Sequence, residues 1–332
     1  LSINNITMMF QSICILFLTL GSVNAEQIDG LVENLLKQFD KTVNVKKKLH
    51  NIDLLPADDL QNIITVINNI IDAVKHTDNA HAFLKAKGIN RVIVPSLKTG
   101  STELKTNILI LLKVLFSVAP STTTAVIPVH VVDDVLDIFD NDNLGLKAHA
   151  VDILAEWLPE NPLIQTRVMK LAGLYTFYKQ INNLDMAVVI KLVKLLNKIL
   201  GDHLAMKNDR NLDENVSKLY QRIGLIEHMS TRASCDQLVK IFGTFWTYNT
   251  DENNLIFTVF DMIRTIKSLC VKNFHGRVKP RDLFSKLLEY AKDPKNHANF
   301  ETHAMHANDM VAEIEDYLAN INKYQKPISD EL

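Results

Sequence analysis

Glycine and proline are scarce in this chain, ten and nine among 332 residues. A long β-meander needs turn residues at short intervals, so the scarcity speaks against one and favours helices. A charge excess is also missing. The 36 Lys and Arg nearly balance the 38 Asp and Glu, leaving no field suited to nucleic acid or an anionic membrane, so electrostatic recognition has to be local. Cysteine is limited to three, with no CxxC pair, so a thioredoxin-like redox role has no support. GxSxG, P-loop and GxGxxG patterns are absent as well. What is present is apolar. Hydrophobic residues make up 47% and charged residues 22%, which excludes both a disordered chain and a polytopic membrane protein. The length allows one large or two ordinary domains around a continuous core.

Both ends read as addresses. Met8 or Met9 reads as the start, with Leu1 to Thr7 as upstream sequence. The apolar run from Ile13 to Leu20 is shorter than the about 20 residues that a bilayer-spanning helix needs. Val23 and Ala25 stand at the −3 and −1 positions of a signal-peptidase site, so cleavage after Ala25 is expected. A positively charged start is lacking, and the competing reading is a buried N-terminal helix. The chain closes on Ser329-Asp330-Glu331-Leu332, which resembles the KDEL retrieval signal with its first residue changed. Together the two ends predict a soluble protein of the endoplasmic reticulum (ER) lumen that a KDEL-type retrieval receptor reads. Cys14 leaves with the signal peptide, and Cys235 and Cys270 remain as either a bridge or two buried thiols. Asn215-Val216-Ser217 is an N-glycosylation sequon.

The strongest internal signal is a repeat. Leu104-Lys105 returns as Leu146-Lys147, and Ala119-Pro120 returns as Asn161-Pro162, both 42 residues on. The offset aligns apolar columns: Leu104, Leu146 and Val188; Ile108, Ala150 and Leu192; Leu111, Ile153 and Leu195; Leu112, Leu154 and Leu196; Leu115, Trp157 and Ile199. Within each copy these positions share one α-helical face. One copy cannot bury that stripe alone, whereas stacked copies can. The expected fold is therefore all-α, an armadillo-like α-solenoid of about four repeats with N- and C-terminal helical caps. Expected boundaries are 1–25 for upstream residues and signal peptide, and 26–56 for a helical extension. Repeats span 57–275, capping helices 276–328, and the retrieval signal 329–332. Within the extension, Ile28, Leu31, Leu35 and Phe39 mark an amphipathic, loosely attached helix.

His76-Thr77-Asp78-Asn79-Ala80-His81-Ala82-Phe83, followed by Gly88, resembles the opening of the armadillo-type nucleotide exchange factors of heat-shock chaperones. Asn161 to Gln165 and Lys170 to Leu174 resemble that family's repeat core, with its glycine pair reduced to Ala172-Gly173 and, earlier, Lys87-Gly88. Lys218-Leu219-Tyr220-Gln221 before Leu225 is also similar. The resemblance covers roughly residues 57–290. With the two end signals, it implies the ATPase domain of the ER heat-shock chaperone BiP as partner. The implied action is to open the nucleotide cleft and release ADP, as a monomer, without catalytic residues or a cofactor. It also implies a concave binding face carrying Lys113, Ser117, Asp152, Glu156, Lys194, Asn197 and Lys198. The Trp and Asn ladder of peptide-gripping armadillo proteins is missing, since Lys113, Ala155 and Asn197 occupy the Trp-equivalent positions.

Two rivals stay open. One is an ER-luminal armadillo-like scaffold without exchange activity, and the other is a luminal enzyme on a helical frame. His297, His303 and His306 are the only metal-like cluster, and no carboxylate pair is arranged for acid–base work.

Overall fold

The computed structural model describes residues 30–43, 57–171, 173–181, 184–208, 213–249 and 255–322. Among these every regular element is helical. They fall into two compact units divided between Trp157 and Leu158, inside the span that the repeat register covers.

The first unit begins with α1 (30–43) and α2 (Ala57–Val74), followed by α3 (Thr77–Lys85). A π-helical turn, Ile89–Ile93, runs into the single turn α4 (Val94–Ser96). Then come α5 (Thr102–Val118), α6 (Pro120–Val126), α7 (Val131–Asn141) and α8 (Leu144–Trp157). α2 packs on α5, and α5 on α8. The seam is made by the aligned columns. Leu104, Ile108, Leu111, Leu112 and Leu115 are buried on α5, as are Leu146, Ala150, Ile153, Leu154 and Trp157 on α8. Trp157 meets Phe116 at a ring distance of 5.7 Å.

Capping follows the same register. A helix start leaves four amides without partners, and Ser, Asn and Asp side chains answer them. Ser101 accepts from the Leu104 amide and Asn143 from the Leu146 amide, opening α5 and α8. Asp185, 42 residues further, accepts from the Ala187 amide at the start of α11 (Met186–Asn208) in the second unit. Lys105 and Lys147 also share the register. Lys105 pairs with Asp142 at 2.8 Å, and the buried Lys147 donates to the Asp140 carbonyl at 2.8 Å. Both put positive charge at the C-terminal end of α7, where the helix dipole favours it.

α1 buries Val32, Leu36, Phe39 and Val43. Leu31, expected on its apolar face, is instead 49% exposed, and Leu35 is half-buried. The helix is rotated by about one residue because the 32/36/39/43 stripe gathers four fully apolar positions on one face.

The second unit contains α9 (Pro162–Leu171), α10 (Gly173–Ile181), α11, α12 (Glu214–Ile223) and α13 (Leu225–Met229). It continues through α14 (Arg232–Thr247) and α15 (Ile256–Cys270) to α16 (Val278–Lys292), α17 (His297–Thr302) and α18 (Ala307–Asn322). α15 lies at its centre, packed on α11 and α14. Of its fifteen residues only Asp261, Arg264 and Ser268 are classed as exposed, at a spacing of three and four that marks one face. Phe257, Phe260, Tyr290 and Phe300 form an aromatic cluster beside it. The Tyr317 hydroxyl donates to the Ile263 carbonyl at 2.7 Å, tying α18 to α15.

The Lys87-Gly88 pair shows why its second member is glycine. Gly88 has an ordinary right-handed φ of −56°, so conformation is not the reason. A Cβ there would lie 2.4 Å from the buried Phe83 ring. Lys87 has φ 58°, the left-handed region where a side chain costs about 1–2 kcal/mol. Gly88→Ala is therefore expected to lower stability by about 1–3 kcal/mol through overpacking. Lys87→Gly, relieving the strain, is expected to raise it by up to about 1 kcal/mol. Denaturant melts of the two variants check both signs.

Candidate functional site

In the first unit, four of the expected binding residues lie on neighbouring helices. Lys113 on α5 and Asp152 on α8 form an ion pair at 2.6 Å, with Lys113 half-exposed and Asp152 largely covered. Ser117 and Glu156, one turn further along α5 and α8, are exposed. The pair ties the two helices together at their surface, at a strength of about 0.2–1 kcal/mol for an ion pair of this exposure. Lys113 is thus partly committed within the chain.

In the second unit, Lys194, Asn197 and Lys198 follow one another along α11, spaced to share a face with Gly201. Lys194 and Lys198 are exposed, while Asn197 is half-buried with its Oδ1 shielded from solvent and lacking a hydrogen bond. Further along α11, Gly201 and Leu204 line a groove of about 690 Å³. Arg264, Thr265 and Ser268 of α15 form one wall, and Asp316 and Asn320 of α18 the other. Lys267 is held at its edge by Glu313 (2.9 Å) and Asp316 (2.8 Å). Arg264 and Lys194 act on Asp261 only through their field. Burial holds the Asp261 carboxyl above the usual carboxylate range, against the pull of Arg264, Lys194 and His303. The groove thus brings Arg264 and the paired Lys267 together with the small polar side chains Thr265, Ser268 and Asn320.

The α15 and α18 contributions lay outside the sequence reading, because the 42-residue register does not extend to them. A signal existed in Asp261, Arg264 and Ser268, the polar stripe of an otherwise apolar helix.

Polar groups, of which Gln165 and His203 are buried, fasten the turn before α9. Asn161 accepts from the Ile164 amide and caps α9, whose first residue is Pro162. Gln165 donates to the Leu158 carbonyl at 2.8 Å and lies 2.8 Å from His203 Nε2. The Glu160 amide donates to Asp202 at 3.2 Å. His203 packs edge-on against Tyr220 at 4.8 Å. Burial pushes the His203 pKa down to about 4, because the charged ring would lose its water, and Glu227 only partly offsets this.

The remaining residues singled out from the sequence fall elsewhere. Cys235, in the first turn of α14, and Cys270, the last residue of α15, form a disulfide across a sequence separation of 35. A crosslink closing a loop of this length contributes about 3–4 kcal/mol in the chain-entropy model. Asn215 is exposed in the first turn of α12, its amide donating to the cap Asp213 at 2.8 Å. His303 stacks flat on Phe257 at 4.0 Å, with Nδ1 2.9 Å from the Asn299 carbonyl, so this imidazole is engaged internally. Among the described residues no group of His, Cys, Asp or Glu is placed to hold a metal ion, and no helix is long and apolar enough to cross a membrane. Residues 1–25 and Ser329, Asp330, Glu331 and Leu332 lie outside the described residues.

Searched against protein-family models and against curated proteins, the chain matches none.

A buried neutral histidine makes stability depend on pH with a definite sign. The folded-state pKa of about 4 lies below the ordinary 6.5, so the unfolded chain binds more protons between those values. Stability is fully present above about pH 6.5 and falls as pH drops toward 4, by at most about 3 kcal/mol from this group. His203→Gln, which keeps a polar neighbour for Gln165 but cannot titrate, is expected to flatten that part of the stability–pH curve. Denaturant melts at pH 4.5, 5.5 and 6.5 check the difference.

Proposed function

We propose that this chain is an ER-luminal nucleotide exchange factor for the heat-shock chaperone BiP, built as an armadillo-like α-solenoid of about four repeats with helical caps. The observation that carries the reading is the 42-residue register, in which Ser101, Asn143 and Asp185 cap successive long helices. Two of the segments resembling the exchange-factor family, His76 to Phe83 and Asn161 to Gln165, lie at the starts of α3 and α9, the helices that follow α2 and α8. Asn79 on α3 donates to the Ala73 carbonyl of α2, and Gln165 performs the same service for Leu158.

The action needs no reacting group. A surface that binds the open form of an ATPase domain more tightly than the closed form shifts the population toward open, and a few kcal/mol of difference is enough. Lys194, Lys198 and Arg264, exposed without ion-pair partners among the described residues, would supply hydrogen-bond donors to an acidic lobe of the partner. Lys113, Ser117, Asp152 and Glu156 would add a second contact region.

A second reading is a luminal scaffold of the same fold without exchange activity. It is favoured by Lys87 and Ala172, which stand where the family's repeat core has glycine. Stopped-flow release of a labelled ADP analogue from BiP separates the two. At saturating protein, release should accelerate at least tenfold. Lys194→Glu with Lys198→Glu, or Arg264→Glu, should remove most of that acceleration while the melting temperature stays within a degree or two. No acceleration by the wild type would exclude exchange activity and leave the scaffold.

A further inference from the structure

We propose that α1 is a detachable strap, closed over the first unit by Arg91 and opened independently of the rest of the fold. Among the described residues, Arg91 is the one residue outside α1 that hydrogen-bonds to it. Its Nη1 donates to Glu33 at 3.1 Å and its Nη2 to Asp40 at 2.6 Å. Glu33 and Asp40 are seven residues apart, two turns along the same side of the helix. One guanidinium therefore grips the strap at two points, flanking the apolar stripe of Val32, Leu36, Phe39 and Val43.

Arg91 is mounted in the π-helical turn Ile89–Ile93, next to the Phe83–Gly88 contact, and its amide donates to the Lys87 carbonyl at 3.0 Å. The strap has less to hold it. A fourteen-residue helix is marginal in water by itself, so α1 orders only as it docks, and four apolar side chains must offset the ordering of the whole helix. In α2, by contrast, seven buried side chains anchor eighteen residues, and the helix packs on both α3 and α5. The two ion pairs are partly exposed, with Arg91 at 26% and the carboxylates at 37–38%. Salt therefore weakens them, whereas a buried apolar seam is not loosened by salt. Release would free an amphipathic helix and its apolar seat together, a latch that ionic conditions can work.

Native-state hydrogen–deuterium exchange of the full chain tests this. The α1 amides are expected to exchange at least tenfold faster than those of α2 and α5, and faster still in 1 M than in 50 mM NaCl. Arg91→Glu should add about a further tenfold in α1 alone and abolish the salt effect. The charge swap R91E with E33R and D40R should restore wild-type protection. If R91E does not fold, E33Q with D40Q must give the same selective loss. Exchange of α1 in step with α2 and α5 would overturn the proposal, as would α1 protection unchanged by either set of variants.

Discussion

A long helix that stops inside a folded protein leaves its last carbonyls without amide donors, and the chain that follows must answer them or leave them stranded. Here buried polar side chains on the next helix supply the answer. Asn79 reaches back to Ala73, and Thr123 reaches both Leu115 and Ala119. Gln165 reaches Leu158 and is braced in turn by His203. Thr123 and Gln165 are 42 residues apart, the spacing of the caps Ser101, Asn143 and Asp185. The starts of α5, α8 and α11 and the stops of α5 and α8 are thus satisfied in one register, and the apolar columns keep to it. With the bends fixed, Leu111 and Ile153, or Leu115 and Trp157, have little choice about what they face.

That register explains how much of the molecule was legible in advance. Columns of aliphatic residues repeating at 42 betray themselves because a helix face and a repeat both leave periodic marks. The α5 and α8 columns are buried throughout, while on α11 Leu196 and Ile199 are only half-buried, where the wall is shared with a small apolar cavity of about 60 Å³. Non-periodic features were harder. The apolar face of α1 lies one position from the one that Leu31 and Leu35 suggest, because both pairs carry the same spacing and only burial decides between them. The Arg91 grip joins residues more than fifty apart by ion pairs that leave no pattern. The groove wall from α15 and α18 escaped for the same reason: it arises where two helices outside the register meet α11.

Glycine, scarce overall, illustrates the division between packing and function. Gly88 is demanded by the Phe83 ring above it. Gly201, in the middle of the 23-residue α11, has open space where its Cβ would be. A mid-helix glycine costs about 1 kcal/mol relative to alanine, and no neighbour among the described residues requires one there. Gly201 lines the groove together with Arg264, and the missing side chain leaves that stretch of α11 backbone open. The proposed partner contact would draw on the exposed Lys194, Lys198 and Arg264, whose charges are not committed to ion pairs among the described residues, whereas Lys113 is already paired with Asp152.

The central claim is that binding discriminates between nucleotide states of one partner. Titration calorimetry of the purified chain against BiP, in ADP and again in ATP, measures that discrimination directly. The account predicts a stoichiometric complex in ADP whose affinity falls at least tenfold in ATP. Equal affinity in both nucleotides, or no binding in either, would contradict it.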